Sequence, residues 1–206
     1  MVSPAVVLLA WAVLSVVSAV LGIALDPPSI SNFTTWVWLL QMIFFTLYAL
    51  MSFGKWSKDS NILLNAFFLP VVFACEWTTA IAVIYMMVVK AELFEENKER
   101  YGMVVSWIGN IVVHYLTMVV LIYYMHLART KYDISSYIKN HPSKFDYVHV
   151  IGFATFILLF SYIVLFHPNQ HYGIPSATDF EVAVSILLAG GVGVATFLAW
   201  TQAFEW

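Results

Sequence analysis

Charge is what this chain has least of. Only 10% of its 206 residues are Asp, Glu, Lys or Arg, nine basic against twelve acidic, while 62% are hydrophobic. A water-soluble domain is about one quarter charged, so there are too few polar side chains to coat a globule, and lipid must be the solvent for most of the chain. Cysteine is nearly absent as well. Cys75 stands alone, which excludes an internal disulfide and any multi-cysteine metal site. A net charge of −3 gives no polybasic surface for anionic lipid or nucleic acid. The histidines show no HExxH or other paired-ligand spacing, so no metal and no other cofactor is expected.

What is present is long apolar runs. They lie at Pro4 to Leu25, Ile30 to Phe53, Asn61 to Val89, Met103 to Leu127, Val148 to Phe166 and Val182 to Trp200. At about 20 residues per bilayer crossing, six spans and their connections use up the chain. Hydrocarbon offers no partner to an exposed amide, so each run must satisfy its backbone internally as a helix. The alternating polar period of a membrane β-barrel is missing. The expected fold is all-α, a polytopic membrane protein whose single six-helix transmembrane domain covers residues 1–206.

Punctuation agrees with this division. Asp26-Pro27-Pro28-Ser29 separates the first two runs, Gly54 to Ser60 is a short polar turn, and Leu93 to Tyr101 is a charged connection. Arg129 to Tyr147 reads as the longest loop, and His167-Pro168-Asn169-Gln170 ends the fifth run. Trp36, Trp56, Tyr101, Tyr123, Tyr124, Tyr172 and Trp206 fall near span ends, where amphipathic rings favour the headgroup layer. Six spans put Lys55, Lys58, Arg129, Lys131, Lys139 and Lys144 on the side of the termini, against Lys90, Lys98 and Arg100 opposite. That bias predicts cytosolic termini. The first run has no basic segment before it and reads as a retained helix rather than a signal peptide. No internal repeat of the transporter kind is visible.

Two ionisable side chains fall near the middle of a span, Glu76 in the third and His114 in the fourth. Such groups cost about 3 kcal/mol each on insertion scales unless partnered, and so are functional candidates. Ser106, Asn110, His114 and Thr117 share one helical face. Spans three and four run antiparallel, so a Glu76 to His114 contact is expected to be within reach, with the carboxylate fixing the imidazole tautomer. The alternative is that Asn110, His114 and Glu76 are polar links between helices with no chemistry of their own.

The second span opens Asn32-Phe33-Thr34-Thr35-Trp36. Its two threonine hydroxyls are most simply bonded to the preceding turn. The segment from Phe33 to Gln41, followed by Met42-Ile43-Phe44-Phe45, resembles the second-span motif of the androgen-induced and androgen-dependent TFPI-regulating family of membrane proteins. In that motif a glutamine follows a threonine by seven positions, as Gln41 follows Thr34. Trp107-Ile108-Gly109-Asn110-Ile111-Val112-Val113-His114 is similar to the family's fourth-span pattern, and Phe68-Leu69-Pro70-Val71 to a short motif in its third.

The resemblance implies a six-span protein that hydrolyses fatty acid esters of hydroxy fatty acids within the membrane. It places the threonine nucleophile at Thr34 and the histidine base at His114. Asn110 and Glu76 are candidate supporting residues, Asn110 as an oxyanion donor or as the group that orients His114; Glu76 comes from the polarity argument and not from the resemblance. The family's fourth-span motif often carries a second histidine where this chain has Ile111. The expected partner is a membrane lipid or lipid ester. Two other functions compete with this one, a non-catalytic membrane subunit or scaffold and a small transporter or proton path using Glu76 and His114.

Geometry sets a demand on the pair. Thr34 is one turn into its helix, whereas His114 is eleven residues beyond Met103, about 16 Å at 1.5 Å per residue. They meet only if the first turns of the fourth helix stand clear of the bilayer core.

Overall fold

A computed structural model describes residues 4–25, 30–54, 57–88, 95, 98–99, 102–132, 134–140, 143–168 and 178–201. Expectations for Asp26 to Ser29, Lys55, Trp56, Tyr101, Asn169, Gln170, Tyr172 and Trp206, and for most of the charged segment from Leu93, lie outside these residues. Among the described residues there is no strand. Helix α1 is Pro4–Leu25 and α2 is Phe33–Phe53. Helix α3 runs from 58 to 88 and α4 from 103 to 132; each is α-helical at both ends with one π-helical stretch inside, Leu63–Phe68 and Ile111–Leu116. A short α5, Ile134–Asn140, precedes α6, Lys144–Phe166, and α7, Asp179–Trp200.

Among the described residues, four helical segments are long and apolar enough to cross a membrane: Phe33–Phe53, Ser60–Ile84, Asp146–Phe166 and Asp179–Trp200. The apolar stretches of the other two runs, Val6–Leu21 and His114–Leu127, are shorter among the described residues. The expected loop from Arg129 to Tyr147 is corrected: α4 continues to Tyr132, α5 follows, and α6 already begins at Lys144. An apolar face explains this, because Ile138 of α5 is buried and Tyr137 packs edge-on against Phe67 of α3.

Helix α3 is the centre. Of its membrane window 61% is buried, against 22% to 33% for the other three, and α2, α4, α6 and α7 all pack on it while α1 packs on α2. The closest approach is to α7. A Cβ placed on Gly193 would lie 2.7 Å from the Ala74 backbone, and one on Gly190 would lie 2.3 Å from the Leu159 side chain, whereas Gly191 faces open space. Two of the three glycines therefore serve helix contact, the use small residues have between membrane helices.

The π stretch of α3 sits just before Pro70, and the two belong together. In a continuous α-helix the Ala66 carbonyl would accept from the residue 70 amide, which proline does not have. The backbone widens over Leu63–Phe68, and the Tyr147 hydroxyl of α6 donates to the Ala66 carbonyl. Asn65, in the same stretch, donates back to the Asn61 carbonyl at 3.0 Å and accepts from the Tyr124 hydroxyl. Tyr124 was expected in the headgroup layer beside Tyr123. It is instead wholly buried among Phe44, Phe45 and Tyr48, while Tyr123 is exposed. Adjacent helical positions point about 100° apart, and the Tyr124 side finds aromatic neighbours and a hydroxyl acceptor.

Helix ends carry recognisable stops. Thr178 and Glu181 form a reciprocal capping box at the start of α7. His167 closes α6 in the left-handed region at φ 45°, ahead of Pro168.

Candidate functional site

The first turn of α2 is held from α6. The Tyr162 hydroxyl donates to the Ser31 carbonyl at 2.9 Å, and its ring lies 4.7 Å from that of Phe33. Trp36 donates to the Ile30 carbonyl at 3.0 Å. Phe33 and Val37 point into an apolar cluster with Cys75, Leu159 and Tyr162. Thr34 sits between them, half-buried. The expectation that its hydroxyl bonds back into the preceding turn is not met, for no hydrogen bond of the Thr34 side chain occurs among the described residues.

Two turns further along α2, Gln41 begins a chain of buried polar contacts. Its amide nitrogen donates to the Glu76 carboxylate at 2.7 Å, while its amide oxygen accepts from the Trp11 indole at 3.4 Å. The other carboxylate oxygen accepts from the Thr117 hydroxyl of α4. Gln41, Glu76 and Thr117 are each at most 1% exposed. Two further hydroxyls beside Glu76 on α3 are used locally: Thr78 donates to the Ala74 carbonyl at 2.9 Å and Thr79 to the Glu76 carbonyl at 2.8 Å.

The expected contact between Glu76 and His114 is therefore corrected. Each oxygen of the Glu76 side chain has a donor, one from α2 and one from α4, and the donor on α4 is Thr117, about one turn beyond His114. His114 lies in the π stretch at 9% exposure, and its buried Nδ1 has no hydrogen-bond partner among the described residues. The side chains of Asn110 and Ser106 lie outside the described residues. A proton path through Glu76 and His114 loses its link, since no hydrogen bond joins them among the described residues.

Relative depth follows from the contacts. Phe44 meets Phe68 while Gln41 meets Glu76, so α2 and α3 are antiparallel. Tyr124 meets Asn65 while Thr117 meets Glu76, so α3 and α4 are antiparallel too, and α2 and α4 run in the same direction. From their common level at Glu76, Thr34 is seven residues toward the start of α2 and His114 three toward the start of α4. At 1.5 Å per residue these are about 10 Å and about 4 Å, an axial offset of about 6 Å, or one turn. Both lie on the same side of the carboxylate. The separation is smaller than counting from the helix starts suggests, because Thr117 rather than Met103 fixes the depth of α4, and exposed Met103 and Val104 extend beyond.

Sequence reasoning noted Gln41 and Thr117 but gave neither a partner, and it missed Trp11. The available signal was polarity: a carboxylate deep in an apolar helix needs two or more donors, and Gln41 and Thr117 are, with His114, among the polar side chains near mid-span on the flanking helices. Comparison of the chain with protein-family models, with curated proteins and with solved structures finds no match.

Proposed function

We propose that the chain is a six-span membrane protein with cytosolic termini that hydrolyses lipid esters within the bilayer, with Thr34 as nucleophile and His114 as base. One observation carries this reading. His114 is buried, and among the described residues its Nδ1 has no hydrogen-bond partner, whereas a histidine that only links helices is expected to bond it, since an unsatisfied buried polar group costs about 1–3 kcal/mol. The half-buried Thr34 is on the same side of Glu76, about one turn away along the axis.

In the proposed reaction His114 takes the Thr34 proton as the hydroxyl oxygen attacks the ester carbonyl. The acyl group passes to Thr34, and the departing hydroxy acid receives the proton back from the imidazole. Water then attacks the acyl-threonine, with the same ring as base, and frees the fatty acid. A substrate with long chains on both sides of the ester suits a site built among lipid-facing helices. The resemblance of the Thr34 to Gln41 and Trp107 to His114 segments points to fatty acid esters of hydroxy fatty acids.

The test is hydrolysis of such an ester by the purified protein in detergent or liposomes. Thr34→Ala and His114→Ala, folded as judged by gel filtration and melting, are expected to lose at least about 100-fold in rate. Survival of activity in both variants rejects the assignment, and absence of activity in the parent leaves the scaffold reading. Labelling of cysteines added at each terminus, from either side of intact cells, tests the topology; a terminus reached from outside rejects it.

A further inference from the structure

The buried carboxylate has more to do than join helices. Its two oxygens are divided between the two helices that carry Thr34 and His114, one accepting from Gln41 on α2 and the other from Thr117 on α4. Gln41 is itself oriented, since the Trp11 indole donates to its amide oxygen and so turns the amide nitrogen toward Glu76. The two donors to the carboxylate come from different helices, and each bond breaks if its helix slides by one turn, about 5.4 Å. Thr117 also stands immediately after the π stretch Ile111–Leu116. A π turn can relax to the α form by slipping one residue, which carries its side chains about 100° round the helix. A bond on its boundary residue fixes the phase of His114 as well as its depth.

We propose that Glu76 is a positioning residue, which through Gln41 and Thr117 sets the register of α2 against α4 and so holds Thr34 and His114 where they can meet. The inference rests on the hydrolase reading for its purpose but not for its geometry.

Three variants of the full chain separate the arms. Glu76→Gln replaces one of the two acceptor oxygens by an amide nitrogen, so the side chain can no longer accept from Gln41 and Thr117 through separate oxygens. Thr117→Val removes the α4 arm with little change of shape. The exchange Gln41→Glu with Glu76→Gln rebuilds the pattern, because Glu at 41 accepts from Trp11 and from the new amide, whose oxygen still accepts from Thr117. The first two are expected to lower kcat about 100-fold with little change in KM, the scale of an ångström-sized misplacement, and the exchange is expected to recover most of it.

A second measurement reads register without chemistry. In a Cys75→Ala background, cysteines at 34 and 114 are linked by a flexible bifunctional thiol reagent. Yield is expected to fall with Glu76→Gln and with Thr117→Val, and to return with the exchange. Yield unchanged by both single variants overturns the proposal, as does an exchange variant that folds yet recovers neither linking nor rate. If linking follows the expected order while the parent hydrolyses no ester, the register role stands and the hydrolase reading falls.

Discussion

Removing one hydroxyl from α6 tests the account of the central helix. Tyr147→Phe deletes the donor to the Ala66 carbonyl while leaving the ring, which is buried against Phe67 at a centroid distance of 5.5 Å. The bond is worth about 1 kcal/mol net in a typical interior, and polar links between membrane helices average about 0.6 kcal/mol with a ceiling near 1.7. Here the upper part of that range is expected, about 1.5 kcal/mol, because Pro70 withholds the amide that would otherwise serve this carbonyl. A coupling between positions 70 and 147 is therefore expected, and not only a loss. With Pro70→Ala a backbone donor becomes available at position 70, the widened turn can close to the α form, and Tyr147→Phe should then cost less than about 0.5 kcal/mol. The assay is reversible unfolding in mixed micelles for the parent, both single variants and the double variant. Equal cost of Tyr147→Phe with proline and with alanine at 70 refutes the link between proline, π turn and tyrosine.

Other expectations follow from the same contacts. Gly193→Val drives a side chain into the Ala74 backbone and should destabilise by about 1–3 kcal/mol or more, whereas Gly191→Ala, with nothing within 4 Å, should change the unfolding midpoint little; equal effects would contradict the assigned α3–α7 crossing. Gln41→Leu strips one donor from the buried Glu76 carboxyl and should cost about 1–3 kcal/mol, much of it recovered by adding Glu76→Leu, which removes the group left unpaired. Thr178→Ala breaks the capping box with Glu181 and should lower stability by about 1 kcal/mol, read as faster amide exchange confined to the first turn of α7.

Much of the helical pattern was legible because it rests on local chemistry. Runs of apolar residues must hydrogen-bond within themselves in lipid, and the observed helices Pro4–Leu25 and Phe33–Phe53 match the expected ones closely. Where expectation failed, a distant partner had decided. The stretch after Arg129 is polar enough to read as loop, yet α5 forms because Ile138 and Tyr137 find the α3 surface. Tyr124 has the chemistry of a headgroup residue and is buried because Asn65, 59 positions earlier, accepts a hydrogen bond from its hydroxyl. Neither π stretch was anticipated, although Pro70 gave a local reason for the first.

The candidate site divides the same way. Sequence by itself singled out Glu76 and His114, since an ionisable group in hydrocarbon is conspicuous without any fold, and it placed Thr34 through a motif. It could not say which donor each carboxylate oxygen receives, because polar side chains at similar depth compete and helix rotation selects among them. Tertiary packing made that choice, giving Glu76 to Gln41 and Thr117 and leaving a ring nitrogen of His114 without a partner among the described residues. Composition and hydrogen-bond satisfaction dictate helices one at a time, whereas the register between helices is a property of the contacts that only the assembled bundle contains.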